Sequence, residues 1–126
     1  MGVHRIRLHG PWQIRPHHSD TPAFAMTIPG TLREGGLGDY TGRVSLHRRF
    51  GKPTHLDASE FVWLTFDEIR GLQSVKLNGV QLSSAGERIE FEVTRLLQDR
   101  NEIEVDLLAE DETCGIVGCV ILEIRF

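Results

Sequence analysis

Acids come first among the residues that could do chemistry: 18 of the 126 residues are Asp or Glu. Acid–base catalysis by carboxyl groups needs two of them held apart at a fixed distance, one protonated and one ionised. Glu34, Asp39, Asp111 and Glu112 fall in polar stretches whose loops could bring them together. Acids in such stretches ordinarily shape turns or stay solvated, and none of the 18 stands in a recognisable catalytic motif. No catalytic residue is expected.

Other constellations are weaker. His4, His9, His17 and His18 raise metal binding. Adjacent histidines point their rings apart, however, and no carboxylate falls at ligand spacing, so a surface loop without metal is expected. No G-x-S-x-G is present to supply a serine nucleophile. "REGGLGDY" has no helix after it and is not a phosphate loop, so no cofactor is expected. Cys114 and Cys119 have neither zinc nor redox spacing. Free thiols in a reducing compartment are expected, with a bridge across the intervening glycines geometrically open.

A net charge of −4, with 25% charged and 40% hydrophobic residues, describes an ordinary soluble domain. It argues against a nucleic-acid partner, which calls for a basic face. The one basic run, His47 to Lys52, is followed closely by Asp57, Glu60, Asp67 and Glu68. No run of about twenty apolar residues occurs, so no membrane partner is expected. The N-terminus lacks the apolar core of a secretory leader, and a cytoplasmic location is expected. The length suits a single domain, residues 1–126.

The elements that must position these residues are strands. Val44, Leu46, Arg48 and Phe50 alternate with Ser45, His47 and Arg49. Ile89, Phe91 and Val93 alternate with glutamates, as do Ile103, Val105 and Leu107 with Glu104 and Asp106. Val120, Leu122, Ile124 and Phe126 share a face near the end of the chain. Such alternation predicts antiparallel strands with one wet face. "FVWLTF" is apolar on both faces and is expected in the middle of a sheet, with Trp63, like Trp12, in the core. Asn78-Gly79 predicts a type I′ hairpin turn. "VTRLLQDR" allows one helical turn capped by Thr94. Residues 15–40, rich in proline and glycine, read as a long irregular loop. About eight antiparallel strands in two sheets are expected, as a β-sandwich or jelly roll.

The order "LHGPWQI", "MTIPGTL", "DYTGRVSLHRRFGKP", "VWLTFDEIRGLQSVKLNGVQL", "GERIEFEVTRLLQDRNEIEVDL" and "CGIVGCVILEIRF" resembles the N-terminal sugar-binding domain of family 2 glycoside hydrolases. That family contains the large β-galactosidases, β-glucuronidases and β-mannosidases. Tyr40-x-Gly42 followed by Arg48, Arg49 and Phe50 looks like the family's Y-x-G…Y-R-x-F strand, with His47 in place of the second aromatic. "FEVTRLL" is similar to its F-D-V-T-x-L-L, and Asn101 to the Asn that opens its next strand. The resemblance implies a galactose-binding-like jelly roll. It also implies that catalysis lies elsewhere, since the family's catalytic carboxylates sit in a separate barrel domain. "AEDETCGIVG" is similar to the family's late loop at Gly115-Ile116, but Val117, Gly118 and Cys119 replace its aromatic and polar residues.

The resemblance implies a carbohydrate ligand at one end of the jelly roll. Sugar sites offer an aromatic face and a few polar groups for hydroxyls. The candidate ligand-binding residues are Arg33, Glu34, Asp39 and Tyr40 from the glycine-rich segment, with Asp111 and Glu112 from the late loop. For Tyr40 the alternative is a residue at a strand start that packs on the sandwich edge. A different class of function is a structural or protein–protein interaction module that has lost sugar binding. On that reading a homodimer or other protein partner is expected, pairing through the final strand as an exposed edge. A third reading is the non-catalytic piece of a split or truncated hydrolase.

Overall fold

Alternation in the sequence becomes antiparallel pairing in three dimensions. The computed structural model describes residues 2–17, 20–84 and 86–126. In chain order its strands are β1 (Val3–Arg7), β2 (Gly10–Pro16), β3 (Phe24–Ile28), β4 (Gly30–Thr31), β5 (Gly42–Gly51), β6 (Phe61–Phe66) and β7 (Ile69–Arg70). There follow β8 (Leu72–Leu77), β9 (Val80–Gln81), β10 (Ile89–Glu92), β11 (Arg100–Ala109), β12 (Gly115–Ile116) and β13 (Val120–Arg125). One sheet runs β1-β13-β6-β10 and a second runs β3-β2-β5-β11-β8-β9. The two-residue strands β4, β12 and β7 make a third, small sheet where only two sheets were expected. The fold is an all-β jelly-roll sandwich.

The two large sheets supply one core. Val62, Leu64 and Phe66 of β6 and Val120, Leu122 and Ile124 of β13 join Val44, Leu46, Ile103, Val105 and Leu107 of the larger sheet in a single buried cluster. Each such side chain contributes about 1.5–3 kcal/mol by leaving water. Trp12 is fully buried there, as expected, and its indole N–H donates to the Leu8 carbonyl at 3.0 Å. A buried tryptophan needs that acceptor for its one polar atom.

Four expectations need correction. Residues 15–40 are not one loop: Phe24, Met26 and Ile28 alternate along β3, an edge strand on β2 that leads to a cis Ile28–Pro29 bond. Residues 94–96 form a turn rather than a helical turn, closed by Leu96 N–H donating to Val93 O at 2.9 Å. Thr94 caps no helix there; its hydroxyl oxygen accepts from Val62 N–H in the neighbouring strand at 2.9 Å. Trp63 is not core. It lies on the outward face of β6, half-buried beneath the Arg125 guanidinium at 4.2 Å. Finally, β13 is not an edge: β1 pairs on one side of it and β6 on the other, so it offers no free strand to a partner.

Asparagines fasten one end of the larger sheet. Asn78 and Gly79 take the positive φ values (52° and 82°) of the expected turn between β8 and β9. The Asn78 amide donates to Leu96 O and to Asn101 Oδ1, and its oxygen accepts from Glu102 N–H. Asn101, only 3% exposed, accepts from Gln98 N–H at 2.8 Å and donates to the Gln98 carbonyl at 2.8 Å. Both bonds reach back three residues, so they close the turn that leads into β11 and do not form a forward Asx turn. Asn101→Ala removes these bonds, whose partners Asn78 and Gln98 are half-buried and exposed, and should cost about 2 kcal/mol, read by urea unfolding. A loss under about 1 kcal/mol would mean that the amide is not holding the turn.

Candidate functional site

Two loops meet at the other end of the larger sheet. Residues 31–40 wind from β4 towards β5, and residues 110–114 follow β11. Backbone bonds clip them together, Leu32 N–H to Cys114 O at 2.8 Å and Arg33 N–H to Glu112 O at 3.3 Å. The crossing requires Gly115. Its φ is 149°, and a Cβ there would lie 2.5 Å from the Gly30 carbonyl oxygen.

The six candidate residues have unequal roles here. Arg33 and Glu112 meet at 2.9 Å with side chains 70% and 48% exposed, a contact worth at most about 1 kcal/mol in water. Glu34 folds back on Thr31, accepting from its N–H and hydroxyl while its own N–H donates to the Thr31 oxygen. That is a capping box without a helix. Asp111 accepts from the N–H and hydroxyl of Thr113. Asp39 is exposed. Tyr40 is half-buried against the core, and its hydroxyl donates to Arg43 O at 2.8 Å. The loop fold thus joins Arg33 to Glu112 and turns Glu34 and Asp111 inward on their own loops.

A second candidate lies on the outward face of the six-stranded sheet. A groove of about 680 Å³ is lined by Arg15, His17, Arg43, Ser74, Lys76 and Asp106, among others. The register aligns Arg15, Ser45, Asp106 and Ser74 across four strands, and Gln13, His47, Glu104 and Lys76 beside them. Asp106 accepts from Ser45 at 2.6 Å and from Ser74 at 2.9 Å, which buries Ser45 on a face expected to be wet. His47 stands between Glu102 at 3.5 Å and Glu104 at 3.6 Å.

His17, Ser45 and Asp106 are the residue types of a nucleophilic triad, but their order is wrong for one. The Ser45 proton goes to Asp106, so Ser45 can only accept from the His17 imidazole. In a triad the acid holds the histidine and the histidine takes the serine proton. The acids are tuned the wrong way for proton donation as well. Bonds from Thr31 hold Glu34 below its ordinary carboxylate range, and bonds from Thr113 do the same for Asp111. Burial pushes Asp106 upward, but Ser45, Ser74 and the Lys76 charge outweigh it and the net direction is down. A general acid needs the opposite shift.

Among the described residues no three His, Cys, Asp or Glu side chains converge on a metal position. His18, paired with His17 in the metal reading, lies outside the described residues. Cys114 and Cys119 are both free thiols, the first buried and the second half-buried. No helix is long and apolar enough to cross a membrane, among the described residues.

Comparison with solved structures places the fold. A β-glucuronidase of Bifidobacterium dentium, solved with coumarin-3-O-glucuronide, superposes with a TM-score of 0.80 over 98% of this chain at 19% identity. The β-D-glucuronidase of Dictyoglomus thermophilum gives 0.79 over 98% at 19% identity, and a putative β-galactosidase of Bacteroides fragilis gives 0.76 over 98% at 17% identity. The chain has the fold of one part of these glycosidases. It spans 30%, 28% and 23% of their respective lengths. No protein-family model matches the chain, and no curated protein matches it in sequence.

The groove residues escaped sequence reasoning because four non-consecutive strands supply them. Their only signal was the polar half of each alternating run. Two outcomes test the loop and the groove. Gly115→Ala should lower stability by about 2 kcal/mol or more, since both φ and the Gly30 carbonyl oppose a side chain; an unchanged urea midpoint would contradict that crossing. Asp106→Asn should cost about 1 kcal/mol near pH 6. Because the carboxylate is depressed in the folded state, its stabilisation is present above the ordinary carboxylate pKa and disappears as pH falls through the lowered value. The Asn deficit should therefore shrink as pH is lowered from about 6 through the carboxylate range, and a deficit that stays constant over that range would refute the assignment.

Proposed function

We propose that this chain is a non-catalytic carbohydrate-binding module, one domain over residues 1–126, related to the sugar-binding domain of family 2 glycoside hydrolases. The carrying observation is the superposition of nearly all of this chain on less than a third of a β-glucuronidase. Downward-shifted acids and a serine locked onto Asp106 favour a binding role over hydrolysis. The ligand contact proposed is the rim of the two clipped loops. There the exposed Arg33–Glu112 pair can exchange a weak internal contact for sugar hydroxyls, and Asp39 adds a second carboxylate. Tyr40 is half-buried beside it with its hydroxyl tied to Arg43 O, and Glu34 and Asp111 shape the backbone around it. The cytoplasm is the proposed location.

The test is calorimetric titration against a panel of neutral and acidic mono- and oligosaccharides. At least one should bind. Arg33→Ala and Asp39→Ala should each weaken it about tenfold, or about 1.4 kcal/mol. A blank panel with folded protein would overturn the carbohydrate reading. Binding unaffected by both variants would overturn the loop rim as its site.

A further inference from the structure

The outward face of the four-stranded sheet is ordered by charge. Strand register sets Arg5, Glu123, Trp63 and Glu92 side by side in one row. The next row holds Arg7, Ile121, Thr65 and Glu90. In both rows the β1 edge carries an arginine and the β10 edge a glutamate. Between them, Trp63, Ile121 and Thr65 are only half-buried. A third row sets Val3 and Phe61, 49% and 50% exposed, on either side of Arg125. Arg125 leaves that row to stack on Trp63 and to reach Glu90 at 3.2 Å.

We propose that this face binds a second copy of the chain about a two-fold axis parallel to the strands. Rotation about such an axis preserves position along the strands and exchanges the two edges. Arg5 of one copy then lies over Glu92 of the other and Arg7 over Glu90, each contact made twice, while the half-buried centre meets its own image. A two-fold across the strands would lay arginine on arginine and glutamate on glutamate, which like-charge repulsion disfavours. The favoured contact is isologous and closes at two copies. One member of each pair is unengaged: among the described residues Arg7 has no carboxylate within salt-bridge distance and the Glu92 carboxylate holds only Thr94 N–H, while Arg5 meets Glu123 and Glu90 meets Arg125, each at 3.2 Å within the chain. This surface is independent of the loop rim.

Sedimentation equilibrium from about 10 μM to about 1 mM should show the mass rising from one chain to two, with weaker association at high salt. The double variants Arg5→Glu/Arg7→Glu and Glu90→Arg/Glu92→Arg should each weaken the dimer at least about tenfold. Mixed in equal amounts, they should form a heterodimer, because each supplies the sign that the other lacks. Phe61→Arg, at an exposed position, should also give a folded monomer if either double variant fails to fold. A wild-type chain that stays monomeric at the highest concentration overturns the proposal. So do folded charge variants that dimerise as the wild type does, or that remain monomeric when mixed.

Discussion

The ten-residue ladder between β5 and β11 is the constraint on which the rest of this protein depends. It runs without interruption from Arg100 opposite Gly51 to Ala109 opposite Gly42. Every second β11 residue from Asn101 to Ala109 is buried, so a slip of one position would turn the whole set outward. One end of the ladder is fixed by the Asn78–Asn101 clasp. From its other end the late loop emerges and is clipped to Leu32 and Arg33. The ladder also sets Ser45 opposite Asp106 and His47 opposite Glu104, which builds the floor of the polar groove. Loop rim and groove are thus two products of one register.

Much of this was legible because a half-buried strand must place apolar residues at every second position. Val44, Leu46, Ile103, Val105, Leu107, Val120, Leu122 and Ile124 are buried as their alternation requires. The Asn78-Gly79 turn was equally plain, since few other dipeptides accept two positive φ values. β3 was missed because Pro22 and Pro29 bracket Phe24, Met26 and Ile28, and turn chemistry at both ends masked a short edge strand. Trp63 was misplaced because a strand apolar on both faces looks buried on both. Its outward cover is a guanidinium from a strand far along the chain. The apolar content of β13 suggested an exposed edge, yet Ile121 lies between Arg7 and Thr65 in the interior of a sheet.

The loop acids show a different limit. Thr31-Leu32-Arg33-Glu34 carries the S/T-x-x-E signature of a capping box, so the inward turn of Glu34 was available from spacing alone. The meeting of Arg33 with Glu112 was not, because it depends on the crossing of β12 and β4. Polar residues on these surfaces are largely engaged with one another, and that engagement lowers the carboxylate pKa values instead of raising them. Such a surface is built to hold charge in place rather than to pass protons.

The two tryptophans fall one to each large sheet, Trp12 in β2 and Trp63 in β6. Trp12 sits in a dry interior with its N–H tied to a carbonyl, while Trp63 is half in water with a cation over its ring. Indole emission depends on the polarity and the field around the ring, so the two should differ in colour and in access to an ionic quencher. The molecule therefore carries a separate intrinsic optical label on each layer of its sandwich, able to distinguish loosening of one sheet from loosening of the other without any added dye.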